Sequence, residues 1–308
     1  MNYPKFEVTI LGCGSATPGA GRHPSAQALH HFQDVFLIDC GEGTQDRLKE
    51  FDVKWNRINQ IFISHLHGDH IFGLPGLLST FHLNRRERKI QIFSPIGLKE
   101  PLQLLLQTGG ENLSFEIEWI ELNHEGSKKI WESDRLAVEA IPLDHRISTY
   151  GYIFREKEHP RSILVEELSR FPKLNHLQLR SLKLGLDVHL ESGEIIPNAV
   201  VTEKKLEARS YAYWSDTRYH SEYSTILSGM TALYHEATFL DNLKDKAQLT
   251  YHSTAKEAAE LAKLSHIKTL LIGHFSSRYA SIMDHQKEAQ QIFPQAFAVE
   301  EGKTYVVL

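Results

Sequence analysis

Short apolar stretches alternate with amphipathic ones along the whole chain, and this alternation limits the fold more than any other feature. Phe6–Leu11, Val35–Asp39, Ile58–Ser64, Ile90–Phe93, Leu136–Leu143, Gly151–Phe154, Ala212–Ser215, Ala232–Tyr234 and Thr269–Ile272 are rich in Val, Ile, Phe and Tyr and bounded by Gly, Pro, Asp or Asn, which predicts strands. Gly43–Glu50, Gly73–Phe81, Leu98–Gln107, Ala255–Leu264 and Met283–Ile292 predict helices. The helix at Ala255 has a reciprocal start signal, Thr254 with Glu257 three positions on. Strands and helices in alternation predict an α/β architecture. No low-complexity tract, solenoid repeat or linker splits the 308 residues, so the chain reads as one domain, 1–308. A segment at about 155–205 stands apart as an insertion with weak periodicity. Within it, Arg170, Lys173, Arg180 and Lys183 fall in a stretch, Leu168 to Leu186, without a single acid.

Composition removes several classes. Apolar residues at 41% and charged residues at 24% are globular values, not those of a disordered chain. No apolar run approaches the roughly 18 residues that span a bilayer, and the start carries no basic-then-apolar signal pattern. Two cysteines, Cys13 and Cys40, make no disulfide scaffold, so a cytoplasmic protein is expected. A net charge of −5 argues against coating nucleic acid with the whole surface but leaves room for a local basic patch. Histidine is abundant, 18 residues, and its positions carry the chemistry.

Ser64-His65-Leu66-His67-Gly68-Asp69-His70 follows the apolar stretch Gln60-Ile61-Phe62-Ile63. On extended backbone His65 and His67 project to one side, while Asp69 and His70 turn into the next helix. Four ligand-type side chains in six residues can fill parts of two neighbouring metal sites. Other candidates end separate strand-like stretches: His145 after Val138–Asp144, Asp216 after Tyr211–Ser215 and His274 after Lys268–Gly273. Sites in open α/β folds assemble at such carboxyl ends. Imidazoles with a few carboxylates and no thiolate suit two Zn²⁺, or Mn²⁺ or another transition metal, over Ca²⁺ or Mg²⁺. A carboxylate such as Asp216 can bridge two cations roughly 3.5–4 Å apart, an arrangement suited to displacement at phosphorus.

These residues, with Asp39 in Leu37–Gln45, resemble the metallo-β-lactamase superfamily. Within it the chain is similar to the ribonuclease Z family of tRNA 3′-end processing endonucleases. The narrower resemblance rests on Gly12-Cys13-Gly14-Ser15-Ala16-Thr17-Pro18, on Leu143-Asp144-His145-Arg146 with Tyr150-Gly151-Tyr152, on His235-Glu236-Ala237-Thr238 and on His252-Ser253-Thr254. It implies a four-layer αββα sandwich with an inserted arm and a di-zinc site. It assigns His65, His67 and His145 to one ion, Asp69, His70 and His274 to the other, and Asp216 to the bridge. Asp69 is implied to handle a proton, Glu236 and His252 to pass one to the leaving 3′ oxygen, and Asp39 to orient a zinc-bound histidine. The implied partners are precursor tRNA and a second copy of the chain in a homodimer, with no membrane. The insertion sits where the family carries its tRNA-gripping arm, but Phe171–Arg180 lacks the family's Gly-Pro tip.

Gly12-Cys13-Gly14 is no dinucleotide loop, since Thr17 stands where the third glycine belongs and Pro18 and Pro24 spoil the following helix. Arg85, Arg86, Arg88 and Lys89 read as a solvated helix end, and His30, His31, His124 and His220 lack ligand spacing. The expected function is therefore a zinc-dependent endoribonuclease cutting the 3′ trailer from precursor tRNA. The alternative is a di-zinc hydrolase of the same fold acting on small phosphodiesters or other esters. A metal-stabilised binding protein without turnover is disfavoured, because every expected ligand and proton-transfer residue is present.

Overall fold

In the computed structural model, which describes residues 4–17, 19, 21–108 and 113–308, the apolar stretches assemble into two seven-stranded sheets. Pro18 of the glycine-rich motif lies outside the described residues. The first sheet takes β1 (Phe6–Gly12), β2 (Ala26–His31), β3 (Asp34–Ile38), β4 (Ile58–Phe62), β5 (Ile90–Pro95) and β6 (Ile117–Leu122). The second begins with β7 (Lys128–Glu132), β8 (Leu136–Leu143) and β9 (Thr149–Glu156). Four two-residue strands follow: β10 (Ser162–Ile163), β11 (Val188–His189), β12 (Ile195–Ile196) and β13 (Thr202–Glu203). Then β14 (Ser210–Trp214), β15 (Ala232–Glu236), β16 (Thr269–Gly273) and β17 (Ala296–Ala298) complete the second sheet, and β18 (Thr304–Val306) completes the first. The strand orders are β18-β1-β2-β3-β4-β5-β6 and β17-β16-β15-β14-β9-β8-β7.

The two sheets meet through aromatic side chains. Phe62 stands edge-on to Tyr152 and Phe154, each ring centre 5.3 Å away, and the Tyr152 hydroxyl donates to the Ile63 carbonyl at 2.6 Å. On the outer face of the first sheet, the helices Thr44–Glu50, Leu74–Leu83 and Lys99–Gln107 bury Leu48, Leu74, Leu77, Leu78, Phe81 and Leu102 against Leu37, Ile61 and Ile92. Each such side chain contributes about 1.5–3 kcal/mol by leaving water. The helix Ala255–Leu264 covers β15 and β16 with an alanine-rich face. It starts with the expected cap, the Thr254 hydroxyl accepting from Glu257 N–H while the Glu257 carboxylate accepts from Thr254 N–H. The layers are thus helix, sheet, sheet, helix.

Parallel pairing decides where function can sit. β3, β4, β5 and β6 run parallel, as do β14, β15, β16 and β17, so within each set the carboxyl ends share one edge. The insertion, Arg155–Arg209 together with Glu132–Ala137, forms a second compact unit. Leu182, Val188, Ile196 and Val201 make its core, and its helix His176–Lys183 begins with an Asn175–Gln178 capping box. Arg209 forks onto Glu156 at 2.8 and 2.9 Å, closing its base.

Candidate metal centre

His65, His67, Asp69 and His70 follow β4 in the loop and one-turn helix Gly68–Ile71. Close backbone contact holds this turn: Cys40 N–H donates to His70 C=O at 2.8 Å and Gly73 N–H to Cys40 C=O at 2.9 Å. A side chain at Gly73 would collide with the Gly41 carbonyl, which is why glycine stands there. His145 follows β8, Asp216 follows β14, His274 follows β16 and Asp39 follows β3. Asp39, Asp216 and His274 all adopt left-handed backbone, with φ of 57°, 56° and 58°. Such conformations disfavour side-chain-bearing residues and concentrate at functional sites.

The expected ligands converge. His67 Nδ1 lies 2.9 Å from His65 Nε2 and 3.3 Å from His145 Nε2. Beside this group, Asp69 Oδ2 lies 3.4 Å from His70 Nε2 and 3.5 Å from His274 Nε2. Asp216 stands between the groups, 3.9 Å from His65 Nε2 through one oxygen, 3.2 Å from His70 Nε2 and 3.4 Å from His274 Nε2 through the other. The ligand atoms of His65, His67 and His145, and those of Asp69, His70 and His274, each lie within 4.8 Å of one another.

Four of these imidazoles have their far nitrogen occupied. His70 Nδ1 donates to Asp39 Oδ2 at 2.7 Å, and His145 Nδ1 donates to the Tyr251 carbonyl at 3.0 Å. The Ser64 hydroxyl donates to Asp39 and accepts from His65 Nδ1 at 3.0 Å. The Thr238 hydroxyl donates to Glu236 and accepts from His274 Nδ1 at 2.9 Å. Each bond selects the tautomer that presents a bare Nε2 to the cluster. The Nε2 atoms of His70 and His274 are buried with no hydrogen bond. An orphaned imidazole nitrogen costs about 1–3 kcal/mol, so the donor set fits cations and poorly suits an empty polar cluster.

The electrostatics agree. Burial lowers the pKa of His65, His67 and His145, favouring the neutral form that ligates. Burial opposes charge on His70 too, but Asp39, Asp216 and Asp69 outweigh it and hold its pKa well above the usual value. Three carboxylates around one ring therefore demand positive charge at this spot. Burial likewise opposes charge on Asp69 and Asp216, and the surrounding histidines overcome it to keep both ionised.

Glu236 and His252 sit beside the cluster. His252 Nδ1 lies 3.1 Å from both Glu236 oxygens and 3.8 Å from Asp216 Oδ1. Burial works against its charge, yet Glu236 and Asp216 raise its pKa to about 9. Glu236 is itself fixed by Thr217 N–H at 2.7 Å and by the Thr238 hydroxyl at 2.6 Å. These side chains open on a cleft of about 620 Å³, walled by Ser15, Ala16, Phe72 and Phe239, with Arg146, Lys246 and Arg278 contributing positive charge.

Thus His65, His67, Asp69, His70, His145, Asp216, His274, Glu236 and His252 lie in one cluster. Sequence reasoning assigned no role to Ser64, Thr238 or Tyr213, whose hydroxyl donates to Asp39 at 2.7 Å. It missed Arg218 as well, which forks onto Asp144 at 2.7 and 3.1 Å and lies 3.9 Å over the Tyr251 ring. Thr238 was within reach, two residues after Glu236; Arg218 carried no local signal.

Residues 6–159 match the family model described as Anti-Pycsar protein Apyc1, a span that holds His65 to His70 and His145 but none of Asp216, Glu236, His252 and His274. A curated protein of Cytophaga hutchinsonii called ribonuclease Z is 44% identical over 306 residues, covering 98% of this chain and 96% of its own. The crystal structure of human tRNase Z, short form, superposes with a TM-score of 0.71 at 27% identity, covering 98% of this chain and 99% of that one. The metallo-β-lactamase fold protein YhfI of Bacillus subtilis shares the fold, with a TM-score of 0.68 at 16% identity over 97% of this chain and 98% of that one. With its first half matched by the Apyc1 model and nearly its whole length matched by these relatives, the chain belongs to the ribonuclease Z family, on the metallo-β-lactamase fold.

Proposed function

We propose that this chain is a zinc-dependent endoribonuclease that removes the 3′ trailer from precursor tRNA by metal-assisted hydrolysis of one phosphodiester. In this reading His65, His67 and His145 would hold one Zn²⁺ and Asp69, His70 and His274 a second, with the Asp216 carboxylate serving both. Bound there, the ions supply Lewis acidity and an acidified water at neutral pH. The chain's own residues do the rest. Asp39, Ser64, Tyr251 and Thr238 hold the ligand rings at fixed tautomers. Asp69, which lines the cleft, would take a proton from the attacking side. Glu236 keeps His252 charged and aimed, so His252 hands its proton to the departing 3′ oxygen. The positive rim of Arg146, Lys246 and Arg278 draws in the phosphate backbone.

One observation carries the reading: His252, its Nδ1 3.1 Å from the buried Glu236 carboxylate, lies within 4 Å of Asp216. A poor leaving group such as a ribose hydroxyl needs that proton. Two further elements of the proposal are a homodimer and an insertion that acts as a tRNA-binding arm, both supported by the family resemblance. Cytoplasmic residence is supported by Cys13 and Cys40, two buried free thiols. The test is incubation of purified protein with a precursor tRNA carrying a 3′ trailer and, separately, with bis(p-nitrophenyl) phosphate. Both should be cleaved, and metal analysis after zinc reconstitution should approach two equivalents. Cleavage of the small ester alone would replace the tRNA reading with that of a small-phosphodiester hydrolase.

A further inference from the structure

A second cleft, of about 860 Å³, lies away from the proposed metal centre. It is lined by the turn Trp55–Arg57, which precedes β4, and by Asn84–Arg88, which connects the helix Leu74–Leu83 to β5. β4 and β5 are parallel, and the metal ligands follow the carboxyl end of β4, so this cleft opens at the opposite end of the sheet. Five residues of β4 alone separate the two by roughly 17 Å.

Lys54, Arg57, Arg85, Arg86 and Arg88 line the cleft against two acids. Asp52 is occupied by Lys54 at 2.7 Å, which leaves Glu87 as the other acid of a lining that holds four guanidinium groups. Arg86 is not the solvated helix end that the sequence suggests. It packs over Phe81 and Phe115, 5.1 and 5.8 Å from the ring centres, and its hydrogen bonds all go to neutral acceptors: Asn59 Oδ1 at 2.7 Å and the carbonyls of Arg88, Lys89 and Asn56. Burial, and Arg88 beside it, depress the Arg86 pKa to about 10. Arg57 likewise binds a neutral partner, Gln33 Oε1 at 2.6 Å. Arg85 is held in left-handed backbone, φ 56°, with its N–H on the His82 carbonyl at 2.8 Å. A half-buried guanidinium without a carboxylate, beside three more cations, leaves uncompensated positive potential in a chain of net charge −5. An anion entering the cleft would relieve it, and Arg presents the planar fork that phosphate oxygens accept.

We propose that this cleft is a phosphate-binding site that grips the sugar–phosphate backbone of an RNA substrate at a distance from the cut. The identity of that RNA rests on the tRNA reading above; the phosphate chemistry does not. Free phosphate anions share that chemistry and are the competing source. The site supplies affinity and orientation without reading bases, and it takes no part in the chemical step.

The test uses the zinc-loaded, full-length protein with Arg85→Glu and Arg88→Glu combined, both exposed, so that the packed Arg86 is untouched. Against precursor tRNA, KM should rise about fivefold or more, and the slope of log affinity against log salt should fall by about one to two, near 0.9 per lost phosphate contact. Turnover of bis(p-nitrophenyl) phosphate should be unchanged. Tripolyphosphate binding, followed by calorimetry, tests the phosphate chemistry alone. If the variant loses tripolyphosphate binding while tRNA KM holds, the ligand is a free phosphate anion and the RNA assignment is overturned. If wild-type protein cleaves no tRNA but tripolyphosphate binding depends on these arginines, the tRNA reading fails and the phosphate site stands. Unchanged KM, salt slope and tripolyphosphate binding would overturn the site altogether.

Discussion

Glu236 holds three groups at once, the Thr217 N–H, the Thr238 hydroxyl and the His252 ring, and through Thr238 it also reaches His274. His252 and His274, the proposed proton donor and metal ligand, are thereby both set by one buried carboxylate. His252→Ala should lower precursor cleavage by about 10²–10⁴, the usual value of a positioned acid. It should leave bis(p-nitrophenyl) phosphate turnover nearly intact, because nitrophenolate leaves without a proton. Equal loss on both substrates, with metal content preserved, would end the proton-donor role. A second single-residue prediction concerns Arg218, whose fork on Asp144 and stacking on Tyr251 fix the carbonyl that orients His145. Arg218→Gln should weaken metal affinity about 10–100-fold, the usual loss when a ligand's support is cut. Chelator competition measures it, and Arg218→Lys should not rescue, since an ammonium lacks the fork. The clustered His, Asp and Glu residues were legible in the sequence because such side chains at strand ends have few other reasons to recur. Arg218 was not, because its partners lie 33 and 74 residues away and an arginine next to a turn looks like any other.

At the level of elements, the strands carrying site residues were readable and their neighbours less so. Leu136–Leu143 and the helix Ala255–Leu264 run as the residue pattern predicts, whereas β2 did not announce itself. Its sequence, Ala26-Gln27-Ala28-Leu29-His30-His31, mixes polar and apolar residues without alternation, yet all six are buried. Gln27 accepts from the Tyr211 hydroxyl, and His30 bonds Thr9, so tertiary partners rather than periodicity pay for that burial. The inserted segment also hid structure. Its helix His176–Lys183 places Leu182 in a small core while Lys173, Arg180 and Lys183 stay exposed. Arg170, counted among its cations, is paired with Glu167 at 2.6 Å. An RNA-gripping role should therefore be tested with Lys173→Glu, Arg180→Glu and Lys183→Glu together, which keeps the core. Precursor KM should rise and the salt slope should fall by up to about three, while small-ester turnover stays within about threefold. An unchanged slope in a folded variant would remove the segment from RNA binding.

Across the whole molecule, the dense population of histidines has a consequence for acid stability that is separate from catalysis. His285, on the helix Met283–Gln290, is fully buried between Phe275 and Tyr279, with ring centres 5.0 and 4.5 Å away, and neither nitrogen has a hydrogen bond. Burial, with Arg22 nearby, lowers its pKa to about 4; burial lowers His30 to about 4 as well. Both are therefore neutral in the folded chain at pH values where the unfolded chain, with histidine near 6.5, binds protons. A depressed base contributes its full stability above the unfolded pKa and loses it as pH falls from about 6.5 towards 4. The loss amounts to about 3 kcal/mol for each ring once pH is below both values, a large fraction of an ordinary folding free energy. Metal held as proposed would also be released in acid, so the measurement is made on chelator-treated wild-type and His285→Leu proteins alike. Leucine fills an apolar space of similar size and has no proton to gain, so the urea midpoint of the variant should fall less between pH 7 and pH 5. The difference should vanish above pH 7.5, where neither state of the wild-type ring is charged. Parallel midpoint curves for the two proteins across that range would show that His285 does not set the acid limit of this fold.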